Sequence, residues 1–389
     1  MKRFLTAALV FALLCPQMLR VQGAQRIDMI EDAFSAAVKW FEKNGDFTQT
    51  GSSSQDWFAF CLGRLDEEDA DTLDSYFDDL WNYVEEAYQT DDRLDAVRAT
   101  EWHRICLTLA AGGRNPGLEL VADGTYYRGY TAPLNAQGVN GAIWALITLD
   151  ALDCELPEDA CDDRESMISM ILDAHVPGEG FTLSGGESDL DITAHALTAL
   201  APYYRNARTG LSRDTQMLLT QSVEESLTYL SHQQSQNGGF PGDGSPSSET
   251  CAQILIALCS LDIDPLTDTR FLQNGNSVLS ALLSYQQPNG GFSHTADGDS
   301  DLMATGQALL ALTACKLYFQ DGSALFDLTG RCQSPEFPAD MTYEIMKREL
   351  GTAAPSMTPV LIACVSIAMI VSLGAAGVFT LRRHRPRKK

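Results

Sequence analysis

Three stretches of this chain repeat one pattern: a Gly-rich turn closing on Phe, a polar spacer, then a helix of small residues ending in Ala-Leu. They run from Gly178-Glu179-Gly180-Phe181 to Ala199-Leu200, from Gly238-Gly239-Phe240 to Ala257-Leu258, and from Gly290-Gly291-Phe292 to Ala311-Leu312. A fainter copy ends at Ala145-Leu146, so the closing leucines at 146, 200, 258 and 312 are spaced by 54, 58 and 54 residues. A period of this size marks supersecondary units that bury their apolar faces only against one another.

The pattern extends upstream. Trp102 to Leu109 and Trp57 to Leu65 read as two further small-residue helices, which makes six, near 54–65, 99–111, 138–152, 189–204, 248–261 and 301–317. Between them lie longer segments, Ile30–Lys43, Asp71–Tyr88, Asp163–Ala174, Asp214–His232 and Arg270–Tyr285, whose apolar residues recur at three and four. A sixth, around Leu118–Tyr127, is short and broken by Gly. Six such pairs close into a ring with the small-residue helices inside and the amphipathic ones outside. The expected fold is all-α, an α/α toroid of about six helical hairpins over residues 28–330.

The chain ends set an expected compartment. Lys2 and Arg3 precede an apolar run from Phe4 to Leu14, with small residues near Gly23 and Ala24. This reads as a signal peptide over residues 1–23. From Val360 to Leu381 there are 22 uncharged residues, roughly 33 Å as a helix, enough to cross a bilayer. A basic tail, 382–389, follows at once, and the positive-inside rule places it in the cytoplasm. A stalk over 334–356 joins the toroid to a transmembrane helix over 358–381. The toroid is therefore expected outside the cell, on a single-pass anchor.

Charge narrows the partners. The whole chain carries −25; without Lys2, Arg3, Arg20 and the six cationic tail residues, nine positive charges in all, the body carries −34. Such a surface repels nucleic acid and anionic polymers. A small-molecule or lipid-like ligand and the membrane itself are the expected partners. Of the exterior cysteines, Cys154 and Cys161 flank an acidic loop and suit a small disulfide. Cys61, Cys106, Cys251, Cys259 and Cys315 lie on apolar helix faces, as core residues do.

The segments Gln233-Gln234-Ser235-Gln236-Asn237-Gly238-Gly239-Phe240 and Gln286-Gln287-Pro288-Asn289-Gly290-Gly291-Phe292 resemble the repeats of the terpenoid cyclase and protein prenyltransferase α/α-toroid superfamily. The run from Asn140 to Asp150 looks like a signature of its secreted bacterial branch. The resemblance implies fold more than activity, because the superfamily also holds binding proteins such as cobalamin carriers.

Three chemistries can be set against the residues. Squalene–hopene-type cyclases carry Asp-x-Asp-Asp-Thr-Ala, and this chain has Asp189-Leu190-Asp191-Ile192-Thr193-Ala194. The resemblance puts Asp191 at the acid and Asp189 beside it, with Ile192 in place of the third Asp. The same residues also suit a helix start, with Ser188-x-x-Asp191 close to a capping box and Asp301 in the place of Asp189 in the last repeat. Prenyltransferases hold zinc through Asp, Cys and His. Here Glu249-x-Cys251 has no His on the next inner helix and His294 falls in a turn, so no metal site and no cofactor is expected. The Asp297–Asp301 run lacks the Gly and Glu of a calcium loop. A lyase-like enzyme would draw on Asp191 with His195, one turn apart. The candidate catalytic residues are thus Asp191, Asp189 and His195. The candidate ligand-binding residues, on the inner helices that line a toroid, are Arg104, Asn140, Trp144, Gln253 and Gln307. Surface binding is the favoured function, with a cyclase-like enzyme as the rival.

Overall fold

A computed structural model describes residues 27–46, 50–66, 70–89, 94–95, 97–242, 245–335 and 342–343. The expected signal peptide, transmembrane helix and tail, and nearly all of the stalk, lie outside these residues. Twelve α-helices are present among the described residues: α1 (27–44), α2 (Ser53–Leu65), α3 (Ala70–Gln89), α4 (Ala99–Ala111), α5 (Leu118–Gly124), α6 (Asn140–Ala151), α7 (Arg164–Asp173), α8 (Leu190–Tyr204), α9 (Arg213–Gln233), α10 (Ser248–Ser260), α11 (Val278–Leu283) and α12 (Leu302–Gln320).

The even-numbered helices form the inner layer. Each packs on the next, α2 on α4, then α6, α8, α10 and α12, and α12 packs back on α2. The ring is closed. Its inner helices are buried nearly all round: in α6 every residue from Gly141 to Leu149 is buried. The outer helices bury one stripe only, as Leu219, Val223, Leu227 and Leu230 show in α9. Helix α12 is long and apolar enough by composition to cross a membrane, yet 78% of its apolar window is buried inside the ring. It is the sixth inner helix.

The Gly-Phe turns join the layers in a repeated way. Phe181, Phe240 and Phe292 are fully buried. The backbone N–H of Phe181 donates to the Thr193 hydroxyl and that of Phe292 to Thr305, each at 2.8 Å, on the first turn of the following inner helix. In the turn before Phe240, Gln234 Nε2 donates to the carbonyls of Gly238 and of Phe271, near the next outer helix. Gln286 repeats this with Gly290 and with Ala33 of α1. Gly290 sits at φ +97, and a Cβ there would lie 2.6 Å from the Ala36 carbonyl oxygen. The last outer hairpin thereby docks on the first helix, and Lys316 of α12 pairs with Glu31 of α1 at 2.8 Å.

The helices from α7 to α12 are capped at their starts by side chains. Asp163, Asp189, Ser212, Ser247, Ser277 and Asp301 each accept the N–H three residues on. The cap of α8 is therefore Asp189, not Ser188, whose hydroxyl donates to Glu179 instead. One outer helix starts later than its periodicity predicts. A short 3-10 turn, Thr269–Phe271, leads into a small antiparallel hairpin, Leu272–Gln273 against Asn276–Ser277, before α11 begins at Val278. Its tight turn is Asn274-Gly275, both at positive φ, a two-residue turn favoured between antiparallel strands.

Each of the eight described cysteines carries a free thiol. The small Cys154–Cys161 loop is not closed. Cys161 is exposed beside Asp162, while buried Cys154 has Cys332 and Cys106 among its neighbours.

Candidate functional site

The inner helices start at one mouth of the ring and end at the other. The middle is filled by side chains. Trp57 of α2 and Trp144 of α6 have ring centres 5.6 Å apart. Phe326, from the segment after α12, reaches into the same cluster, 6.2 Å from Trp57, 5.6 Å from Trp144 and 5.5 Å from Phe60. That segment is held from below: Arg64 donates to the carbonyls of Leu325 and Ala324, and Arg331 to those of Gly63 and Ala111. Phe326 closes the middle of the ring from the C-terminal side.

A polar chain runs beside the aromatic cluster. His195 of α8 packs on Trp144 at 5.4 Å. Its Nε2 lies 3.0 Å from Gln253 Oε1 on α10, and Gln253 Nε2 donates to Gln307 Oε1 on α12 at 3.2 Å. All three residues are buried. Burial lowers the His195 pKa to about 4, partly offset by the Gln253 bond, so the ring is neutral at pH 7. An uncharged imidazole placed between Gln253 and Trp144 cross-braces three inner helices.

At the N-terminal mouth a pocket of about 240 Å³ opens above this plug. Gly51, Ser53, Arg98, Thr100, Glu101 and Arg104 wall it, and Trp57 and Trp144 form its floor. Arg104 is fixed by Asp56, which is completely buried: Nε donates to Oδ2 at 2.8 Å, and Nη2 donates to the Gly51 carbonyl at 2.8 Å. Burial pushes the Asp56 carboxyl up, and Arg104, the Tyr76 hydroxyl and the Gly51 N–H oppose that rise. A buried carboxylate with this set of donors is a positioning device for the Arg104 head group.

A larger hollow of about 550 Å³ lies at the other mouth, among the ends of α6, α8 and α10 and the segment 321–329. Its two arginines are already engaged. Arg208 lies 3.3 Å from Asp150 and 2.8 Å from Asp153, and Arg205 donates to the Ser260 carbonyl.

The residues singled out from sequence thus separate into three places. Trp144, His195, Gln253 and Gln307 come together in the middle, and Arg104 stands at the mouth above Trp144. Asp189 is spent as the α8 cap, and Asp191 lies in the first turn of that helix. His195 turns to Gln253 rather than to a carboxylate. Asn140 opens α6, with a buried side-chain oxygen. The Glu249 carboxylate accepts from Ser247 and Ser248 and pairs with His294 Nδ1 at 2.7 Å. Among the described residues no group of three or more His, Cys, Asp or Glu is arranged to hold a metal. Sequence reasoning passed over Asp56 and Phe326. A lone acid at the start of the apolar run Trp57-Phe58-Ala59-Phe60 was a signal for the first, because a buried carboxylate needs a cation. The second carried no signal.

The prenyltransferase alpha-alpha toroid domain family matches this chain twice, over residues 126–221 and 203–338. Together the matches cover more than half of the chain, and the chain belongs to that family. Among solved structures, Candida albicans protein geranylgeranyltransferase-I complexed with GGPP is similar at 15% identity, covering 73% of this chain and 91% of that one with a TM-score of 0.46. No curated protein matches the chain.

Proposed function

We propose that this chain is an exported, membrane-tethered toroid that binds a small ligand at the N-terminal mouth of its ring. The observation that carries the reading is the division of the interior. The middle is plugged by Trp57, Trp144 and Phe326 and by the His195–Gln253–Gln307 chain, while a pocket with polar walls opens directly above the two indoles. A pocket with an aromatic floor and a few fixed polar groups suits orientation of a compact ligand. At about 240 Å³ it takes a small molecule or the end of a lipid-like one. The ligand-binding residues of this reading are Arg104, Trp144 and Trp57, with Arg98, Thr100 and Glu101 at the rim.

A cyclase-like enzyme is the weaker reading. It needs a long cavity inside the ring for a folded polyene and an unusually acidic carboxylic acid pointing into it. Here the ring centre is occupied, Ile192 stands where the third acid of the motif belongs, and Asp189 is committed to capping. The exterior location rests on the signal peptide and the Val360–Leu381 span of the sequence.

The test uses the full chain, purified in detergent. Compounds retained from membrane and culture extracts are identified by mass spectrometry, then titrated against wild type and Trp144→Ala. The reading expects a bound small molecule whose affinity falls at least tenfold in the variant, and no conversion of a linear polyprenyl substrate. Turnover of that substrate, abolished by Asp191→Asn, would replace the binding reading with the enzyme.

A further inference from the structure

Cys259, in the last turn of α10, and Cys315, in α12, face each other across the seam between the fifth and sixth inner helices. Their sulfur atoms are 3.9 Å apart, and both residues are buried, at 2% and 0% exposure. Helices α10 and α12 pack directly on one another, and Ala311, one turn before Cys315, is a small buried residue on the same helix face. Sulfurs already in van der Waals contact need only small side-chain rotations to reach the bonded separation of about 2.05 Å.

We propose that Cys259 and Cys315 are a modification site, a disulfide that staples the fifth repeat to the sixth. The step is thiol–disulfide exchange with a disulfide oxidant of the cell exterior. The thiolate of one cysteine attacks the oxidant's disulfide and releases one of its sulfurs. The second thiolate then attacks the mixed disulfide, forming the Cys259–Cys315 bond and freeing the oxidant's other sulfur. Two protons and two electrons leave the pair, and the oxidant becomes a dithiol.

The folded ring does not permit this chemistry at leisure. Cys315 beside it and burial together hold the Cys259 thiol well above its ordinary range, and a buried thiol is a poor nucleophile. The bond therefore forms before α10 and α12 close on one another, during folding after export. In that respect the inference rests on the exterior location proposed above. Its structural effect is to tie together two inner helices next to the seam where α12 meets α2.

The experiment takes the full chain from its own membranes. The membranes are dissolved in denaturant with an alkylating reagent, and the protein is digested without reduction and read by mass spectrometry. The expected result is a peptide pair joined through Cys259 and Cys315, two hydrogen masses lighter than its parts, with both residues labelled only after reduction. Linkage of either to another cysteine overturns the site, and labelling of both without reduction is resolved by a second arm. A second arm unfolds the purified full chain and refolds it in a mixture of glutathione and glutathione disulfide. A bond formed there but absent from membrane-derived protein overturns the exterior location, which protease treatment of intact cells tests separately. Free thiols in both arms overturn the disulfide.

Discussion

Gln286 Nε2 donates to the backbone carbonyl of Ala33 at 2.8 Å, although 253 residues separate the two. The same nitrogen donates to Gly290 in its own turn at 2.9 Å. One amide thus joins the last repeat to the first helix, in the way Gln234 joins its turn to Phe271. Gln286→Ala leaves two carbonyls short of a donor. It should cost about 1–3 kcal/mol, read as a lower denaturant midpoint with an unchanged slope.

Gly290→Ala tests the same contact by sterics. The φ of +97 disfavours any side chain, and the new Cβ would meet the Ala36 carbonyl oxygen at 2.6 Å. The sum of backbone strain and forced displacement is about 2–4 kcal/mol. A calorimetric melt should move down by several degrees; an unmoved melt would show that α1 does not pack here.

The two acids at the start of α8 should differ. Asp189 accepts the Ile192 N–H at 2.8 Å, so Asp189→Ala should cost about 1 kcal/mol, the worth of an N-cap. Asp191→Asn takes a charge from the first turn, where the helix dipole contributes about 0.3–1 kcal/mol. Urea titration of both variants ranks them, and a larger loss at Asp191 would reverse the assignment.

Removing Arg104 strands a fully buried carboxylate. Arg104→Ala should cost about 3–5 kcal/mol, since the buried Asp56 carboxylate loses the guanidinium it pairs with. The double variant Arg104→Met with Asp56→Leu should recover most of that stability, yet bind ligand no better than Arg104→Ala. Thermal melts and titrations of the three proteins separate the positioning role of the pair from its contribution to folding.

Acid should weaken the fold through its buried histidines. Burial depresses the pKa of His195 to about 4 and of His103 to about 3. The unfolded chain takes up those protons near pH 6.5, and the folded chain does not. Their stabilisation is thus complete above pH 6.5 and is lost as pH falls toward 4, at about 1.4 kcal/mol per pH unit for each histidine. His195→Gln should remove one such increment from the slope of unfolding free energy against pH between 6.5 and 4. Identical slopes in the two proteins would mean that His195 is protonated in the fold.

The helices were legible because inner and outer layers differ in periodicity: α6 is apolar on every side, whereas α9 shows one stripe. The Gly-Phe turns were legible because their glycines and Phe recur at fixed places. The hairpin before α11 was masked by apolar residues at helical spacing, although Asn274-Gly275 is a strong turn signal. The candidate site was legible only in part. Arg104, Trp144, His195, Gln253 and Gln307 could be picked out as unusual residues on inner helices. Which of them meet depends on the rotation of each helix about its axis, and a single sequence does not carry that rotation. Phe326 lies outside the repeat altogether, so no period pointed to it.

Because α12 packs on α2, the molecule has no first or last repeat in space. An open solenoid evolves by gaining or losing copies at its ends, and its end units become specialised caps. This ring has no end at which a copy can be added. One hairpin more or fewer would leave two inner faces without neighbours. Sequence change that keeps the fold therefore has to fall on the turns at the two mouths, on the outer faces and on what fills the middle. Descendants of this chain diversify by rim and plug rather than by length.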